Sequence, residues 1–171
     1  LKMCKKNHLM KFLGIIFLLF SFYSSFYIRE NSGLFLFLFI ILVCIFTDIG
    51  GYVFGSVFKG PKLTKISPKK TYAGVIGSFF LSLIGGLIFI NHFAKDQIFL
   101  NTKGLLVLWI ILFISLVSQL GDLIISYFKR KAKLKDTGKI IPGHGGLLDR
   151  IDGLIFVFPA LHVLVLIIEL V

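Results

Sequence analysis

The chain has 171 residues, of which 57% are hydrophobic and only 16% charged, and its 19 Lys+Arg against 8 Asp+Glu give a formal net charge of +11. A soluble domain carries about a quarter charged residues, so this composition excludes one and indicates an integral membrane protein. Two cysteines, Cys4 and Cys44, make neither a metal-ligand spacing nor a disulfide framework.

Apolar runs long enough to cross a bilayer, roughly 17–25 residues, fall at 12–28, 34–58, 74–94, 104–128 and 153–171. The basic stretch 1–11 followed by the first run has the outline of a signal peptide. Its apolar part exceeds the roughly 7–15 residues of a signal core and no small-residue cleavage site follows, so a retained helix is expected. The first residue is Leu1 rather than Met, which leaves room for chain upstream. Phe, Leu and Ile fill the runs without a period of two, and backbone groups must be paired within lipid, so helices are expected rather than barrel strands. The predicted fold is all-α: one membrane-embedded domain over 1–171, a polytopic bundle of about five transmembrane helices joined by long polar loops at 59–73 and 129–152.

The basic residues orient it. Sixteen of the nineteen Lys+Arg lie in the N-terminal tail and these two loops; the other three are Arg29, Lys95 and Lys103. By the positive-inside rule the N-terminus and both loops are cytoplasmic, and a protein of the inner (cytoplasmic) membrane with its site facing the cytoplasm is expected. No nucleic-acid partner is expected; the bilayer accounts for the basic excess.

Polar residues concentrate in 121–152. Asp122 lies seven residues before Lys129, about 10 Å below the surface on a helix rising 1.5 Å per residue. Ser126, Lys129 and Arg130 follow on the same helical face, so one stripe presents a carboxylate, a hydroxyl and two cations; an ion pair closing the bundle is the alternative. Farther on, Asp149 and Asp152 flank Arg150 after His144, Gly145 and Gly146. Glycine turns let backbone N–H groups approach phosphate and acidic oxygens suit a hard divalent cation, while capping of the helix near 153 is the competing role. Asp48, about 16 Å deep in the second helix, needs a partner or a watery cavity. Ser67, Lys69, Lys70 and Thr71 cluster beside Pro68 in the first loop. His8, His92 and His162 have no partner motif and are expected to be structural.

These parts suit a polyphosphate ligand, yet the chain has no Gly-x-x-x-x-Gly-Lys-Ser/Thr loop and no Ser/His/Asp set. A phosphate monoester, with a second pKa of about 6, attacks phosphorus without a protein base. Metal and cations that screen charge are then enough.

The run from Ser126 through Lys129, Arg130, Lys135, Asp136 and Gly138 to Pro142, His144, Gly145, Gly146, Asp149, Arg150 and Asp152 resembles the signature of the phosphatidate cytidylyltransferases. Thr47, Asp48, Tyr52, Gly55 and the stretch 66–71 resemble a second block of that family. The resemblance covers about 45–153 and implies conversion of CTP and phosphatidate to CDP-diacylglycerol and pyrophosphate by a membrane enzyme, often a homodimer, using Mg²⁺ and in an open alternative a second cation. It implies Asp122 and Asp149 as metal ligands, the second aided by Asp152. Lys129, Arg130 and Lys135 would hold phosphates, with Ser67, Lys69, Lys70 and Thr71 closing over the substrates; Asp48, Ser126, Asp136, His144, Gly145, Gly146 and Arg150 complete the binding set. Many members have Glu where this chain has Ala73, and many have further N-terminal helices, so the likeness is to their C-terminal, catalytic part. The alternatives are a CTP-dependent polyprenol kinase and a transporter half with Asp48 and Asp122 on an ion path. Asp149 to Gly153 mimics the start of the CDP-alcohol phosphotransferase motif, but its later aspartates are missing.

Overall fold

The structure is a computed structural model that describes residues 2–64, 67, 70–93, 104–134, 137–138 and 146–169. Five helices follow one another: α1 (Lys2–Asn31), α2 (Gly33–Phe58), α3 (Tyr72–Phe93), α4 (Gly104–Lys131) and α5 (Leu154–Glu169), with a 3₁₀ turn at Leu147–Arg150 before the last. Among the described residues there is no strand, only an isolated bridge between Lys62 and Thr71. Four helices, the first counted over Lys11–Asn31, are long and apolar enough to span a bilayer; the apolar stretch Leu154–Ile167 of α5 is shorter. The protein is therefore an all-α integral membrane bundle.

Helix α1 starts ten residues before the first apolar run, because lysine is a good helix former and nothing in the basic tail interrupts it. It breaks at Ser32, whose N–H still bonds the Ile28 carbonyl at 2.9 Å, and Gly33 takes φ +86° so the chain can reverse into α2. At the other end of the bundle, α4 carries Lys129, Arg130 and Lys131 in its last turn, where cations complement the helix dipole.

Helices α2 and α3 run antiparallel in close contact. A Cβ on Gly50 would lie 2.5 Å from the Gly77 carbonyl oxygen, so no side chain fits there, and the hydroxyl of Ser78 donates to the Thr47 carbonyl at 2.7 Å. Small residues that bring backbones together are how helices gain packing energy in lipid, which offers no hydrophobic drive between them. The sealed core, Phe39, Ile40 and Val43 of α2, Ile111 and Ile114 of α4 and Val157 of α5, is inaccessible to solvent. On α2 and α4 it occupies the half remote from the lysine-rich loops, so the bundle is closed there and can open at the other end. Helix α1 docks on α5 through His162, which is buried, hydrogen-bonded to Ser24 Oγ at 3.0 Å and stacked on Tyr27. That histidine is structural, as expected.

Gly50→Ala should destabilise the bundle by roughly 1–3 kcal/mol, the usual cost of overpacking. Gly14, whose Cβ would meet nothing within 4 Å, is the control: Gly14→Ala should leave thermal unfolding in detergent unchanged or slightly raised, and equal effects at the two positions would refute the close α2/α3 seam.

Candidate active site

The loop after α2 is folded, not slack. Lys59 adopts a left-handed conformation (φ 43°) that ends the helix, and the chain turns back through Leu63 N–H to Lys70 O (2.8 Å) and Tyr72 N–H to Pro61 O (3.2 Å). Thr71 Oγ1 then accepts the Gly74 N–H at 3.1 Å and caps α3. This pairing carries Lys70 toward α4, where its Nζ lies 2.5 Å from Asp122 Oδ2 and 3.4 Å from the Gln119 carbonyl oxygen.

A cavity of ≈ 330 Å³ opens between α2, α3 and α4. Its lining brings together Asp48, Asp122, Asp149 and Asp152, with Lys70, Ser67 and Thr71 from the folded loop. Thus three helices, with Ser78 from α3, one loop and the turn before α5 each contribute a charged or hydroxyl group. Ser126 Oγ donates to Asp122 Oδ1 at 3.3 Å, so the first two groups of the stripe expected on α4 meet. Lys129 Nζ stands between the last two carboxylates, 3.1 Å from Asp149 Oδ1 and 3.8 Å from Asp152 Oδ2. All three side chains are only 11–14% exposed, which makes these desolvated ion pairs rather than solvated surface contacts.

The two carboxylates of the turn differ. Asp149 Oδ2 accepts N–H groups from both Thr137 and Gly146 at 2.9 Å, and Oδ1 takes Lys129. Desolvation works against its charge, but those backbone donors and the Lys129 ammonium outweigh it and hold the carboxyl down at about 2. Asp149 therefore ties 137 to 146; a Cβ on Gly146 would press on Thr137 Oγ1 at 2.5 Å, so glycine is required at that crossing. Asp152 goes the other way. Burial, then the negative charge of Asp122 and a hydrogen bond with it, push its carboxyl up to about 7, so it holds a proton more readily than an ordinary aspartate. Asp152 Oδ1 also accepts the Gly153 N–H at 2.9 Å, a local bond of the capping kind.

Arg130 and Arg150 are exposed and do not line the cavity; Arg130 Nη1 donates to the Leu134 carbonyl at 3.4 Å beyond the helix end. Lys69, Lys135, Asp136, His144 and Gly145 lie outside the described residues. Gln119 is a lining residue that sequence reasoning passed over; the available signal was its position three residues before Asp122, on the same α4 face as Ser115 and Ser126.

Hard carboxylate oxygens at this cavity fit a divalent cation, and the two ammonium groups lodged among them show that the place attracts positive charge. Among the described residues no three acidic, imidazole or thiol side chains form a closed metal site. Asp122 with Asp149 or Asp152 would leave most of the coordination shell to phosphate oxygens and water, the usual arrangement for Mg²⁺.

Asp149→Asn should destabilise the 137–146 tie and speed amide exchange at Gly146. Since the folded carboxyl sits at about 2 and an unfolded Asp near about 3.9, the stability that the charge contributes is complete above that range and is lost as pH falls toward 2. The stability gap between wild type and Asp149→Asn should accordingly be wide at pH 7 and close with acidification; a gap that widened on acidification would contradict the latch.

The profile of the cytidylyltransferase family matches residues 2–168. The chain is 41% identical over 145 residues to the phosphatidate cytidylyltransferases of Staphylococcus aureus (strain COL) and Staphylococcus haemolyticus (strain JCSC1435), covering 84% of this chain and 54% of each relative. The corresponding protein of Staphylococcus epidermidis is 38% identical over 149 residues. The chain thus spans about half the length of the curated relatives it matches. With a match over nearly the whole chain, on an all-α membrane bundle, the chain belongs to the cytidylyltransferase family.

Proposed function

We propose that the cavity binds CTP and phosphatidate together and that the protein joins them into CDP-diacylglycerol with release of pyrophosphate. The observation that carries this reading is the interleaving of Lys70 and Lys129 with Asp122, Asp149 and Asp152 at a cavity between membrane helices. A lipid phosphate oxygen attacks the α-phosphorus of CTP; the new P–O bond forms as the bond to the bridging oxygen of the β-phosphate breaks, and pyrophosphate leaves with the electron pair. The lipid phosphate, largely dianionic at neutral pH, needs no base.

What the protein supplies is charge and alignment. Lys70 and Lys129 are drawn from their carboxylates onto the entering phosphates, and Ser126 keeps Asp122 oriented. Mg²⁺ held by Asp122 with Asp149 or Asp152 would screen the phosphates and neutralise charge on the leaving pyrophosphate. The concentration of cations in the tail and the two loops supports a cytoplasmic mouth, where CTP is found, and the family resemblance supports a homodimer.

Purified protein in lipid–detergent micelles with Mg²⁺ should convert α-labelled CTP and phosphatidate to labelled lipid and an equal amount of pyrophosphate. Asp122→Asn and Lys129→Met should each lower kcat/KM on the order of a hundredfold or more, as loss of a group that stabilises transition-state charge does. Transfer of label from the γ-phosphate of CTP into lipid would falsify the reading in favour of a lipid kinase.

A further inference from the structure

Beneath the charged cluster the cavity has a polar floor with no place in the scheme above. Gln119 lies one turn of α4 deeper than Asp122, about 4.5 Å along the axis, and is half-buried against the cavity. Its Nε2 donates to Ser115 Oγ at 3.3 Å; Ser115 Oγ is hydrogen-bonded to Thr47 Oγ1 at 3.0 Å, and Thr47 Oγ1 to the Val43 carbonyl at 2.8 Å. Carbonyl oxygen cannot donate, so the proton of Thr47 goes to Val43, that of Ser115 goes to Thr47, and Ser115 accepts from Gln119. The remaining hydroxyl of the floor, Ser78, is spent on the Thr47 carbonyl. The chain of bonds fixes the Gln119 amide and uses one of its two N–H groups, which leaves the other on a cavity-lining residue.

A fixed amide donor at that depth in an apolar bundle suits a carbonyl acceptor, and the ester carbonyls of a diacylglycerol lie a few bonds beyond its phosphate on the way to the acyl chains. With the phosphate at Lys70 and Asp122, the next polar group of the lipid comes level with Gln119. We infer that Gln119 recognises an ester carbonyl of the lipid substrate and so selects diacyl phosphates over lipid phosphates that lack one, such as dialkyl ether analogues. The inference rests on the reaction proposed above and adds a specificity residue to it. A site built around a donor discriminates against a ligand that leaves the donor unpaired.

The test compares kcat/KM for diacyl phosphatidate and a dialkyl ether analogue of the same chain length, at saturating CTP. Wild type should favour the ester roughly three- to tenfold, the ratio one hydrogen bond supports. Gln119→Leu should bring that ratio toward one by lowering the ester rate more than the ether rate, and Ser115→Ala, which frees the amide from its tether, should narrow it in part. Equal ester and ether rates in the wild type overturn the inference without any variant, as does an unchanged ratio in Gln119→Leu. Failure of the wild type to form CDP-lipid from either substrate would instead sink the reaction itself.

Discussion

Asp122, Asp149 and Asp152 are held among apolar helices by the lysines that reach them. A carboxylate taken out of water loses hydration that a neighbouring ammonium must replace, and here Lys70 reaches Asp122 while Lys129 reaches Asp149 and Asp152. Much of the polar architecture serves that encounter. The loop after α2 folds back to deliver one ammonium, α4 extends past the apolar run to deliver the other, and the 3₁₀ turn brings Asp149 and Asp152 to meet it. Removing one partner leaves its counterpart charged and unpaired, so these residues serve stability and function together.

The same pairing suits a site that must handle polyanions. On the reaction proposed above, entering phosphates would compete for the ammonium groups and free carboxylate oxygens for a divalent cation. One set of charges would then have two partnerships, internal in the empty cavity and external in the loaded one. Asp149 stands apart, since two of its three donors are backbone groups that no substrate displaces. It keeps the turn in place while its neighbours exchange partners.

Helix number and much of the site were legible in the amino-acid sequence because hydrocarbon thickness sets run length and charges in oil are conspicuous. Asp122, Ser126 and Lys129 could be placed on one face by periodicity alone. The lysine-rich start of α1 was not legible as helix, since hydropathy marks what is apolar and is blind to a polar segment that stays helical. Nor was the latch at Asp149: its partners are the N–H groups of Thr137 and Gly146, and backbone donors carry no side-chain identity to read. Gln119 escaped notice for a related reason, because a single amide within an apolar run resembles a tolerated polar residue until its hydrogen bonds are seen to lead to Thr47 on another helix.

The seam between α2 and α3 constrains how the cavity breathes. Where a carbonyl oxygen of one helix stands against the bare Cα of Gly50 in the other, neither rod can slide or roll without collision, so the pair behaves as one stiff plank. Adjustments of the mouth then fall to the opposite jamb, α4, which is locked to the plank by Ile111 against Gly86 at the sealed end but near the charged end meets it through the Thr47–Ser115 hydroxyls and the long Lys70 arm.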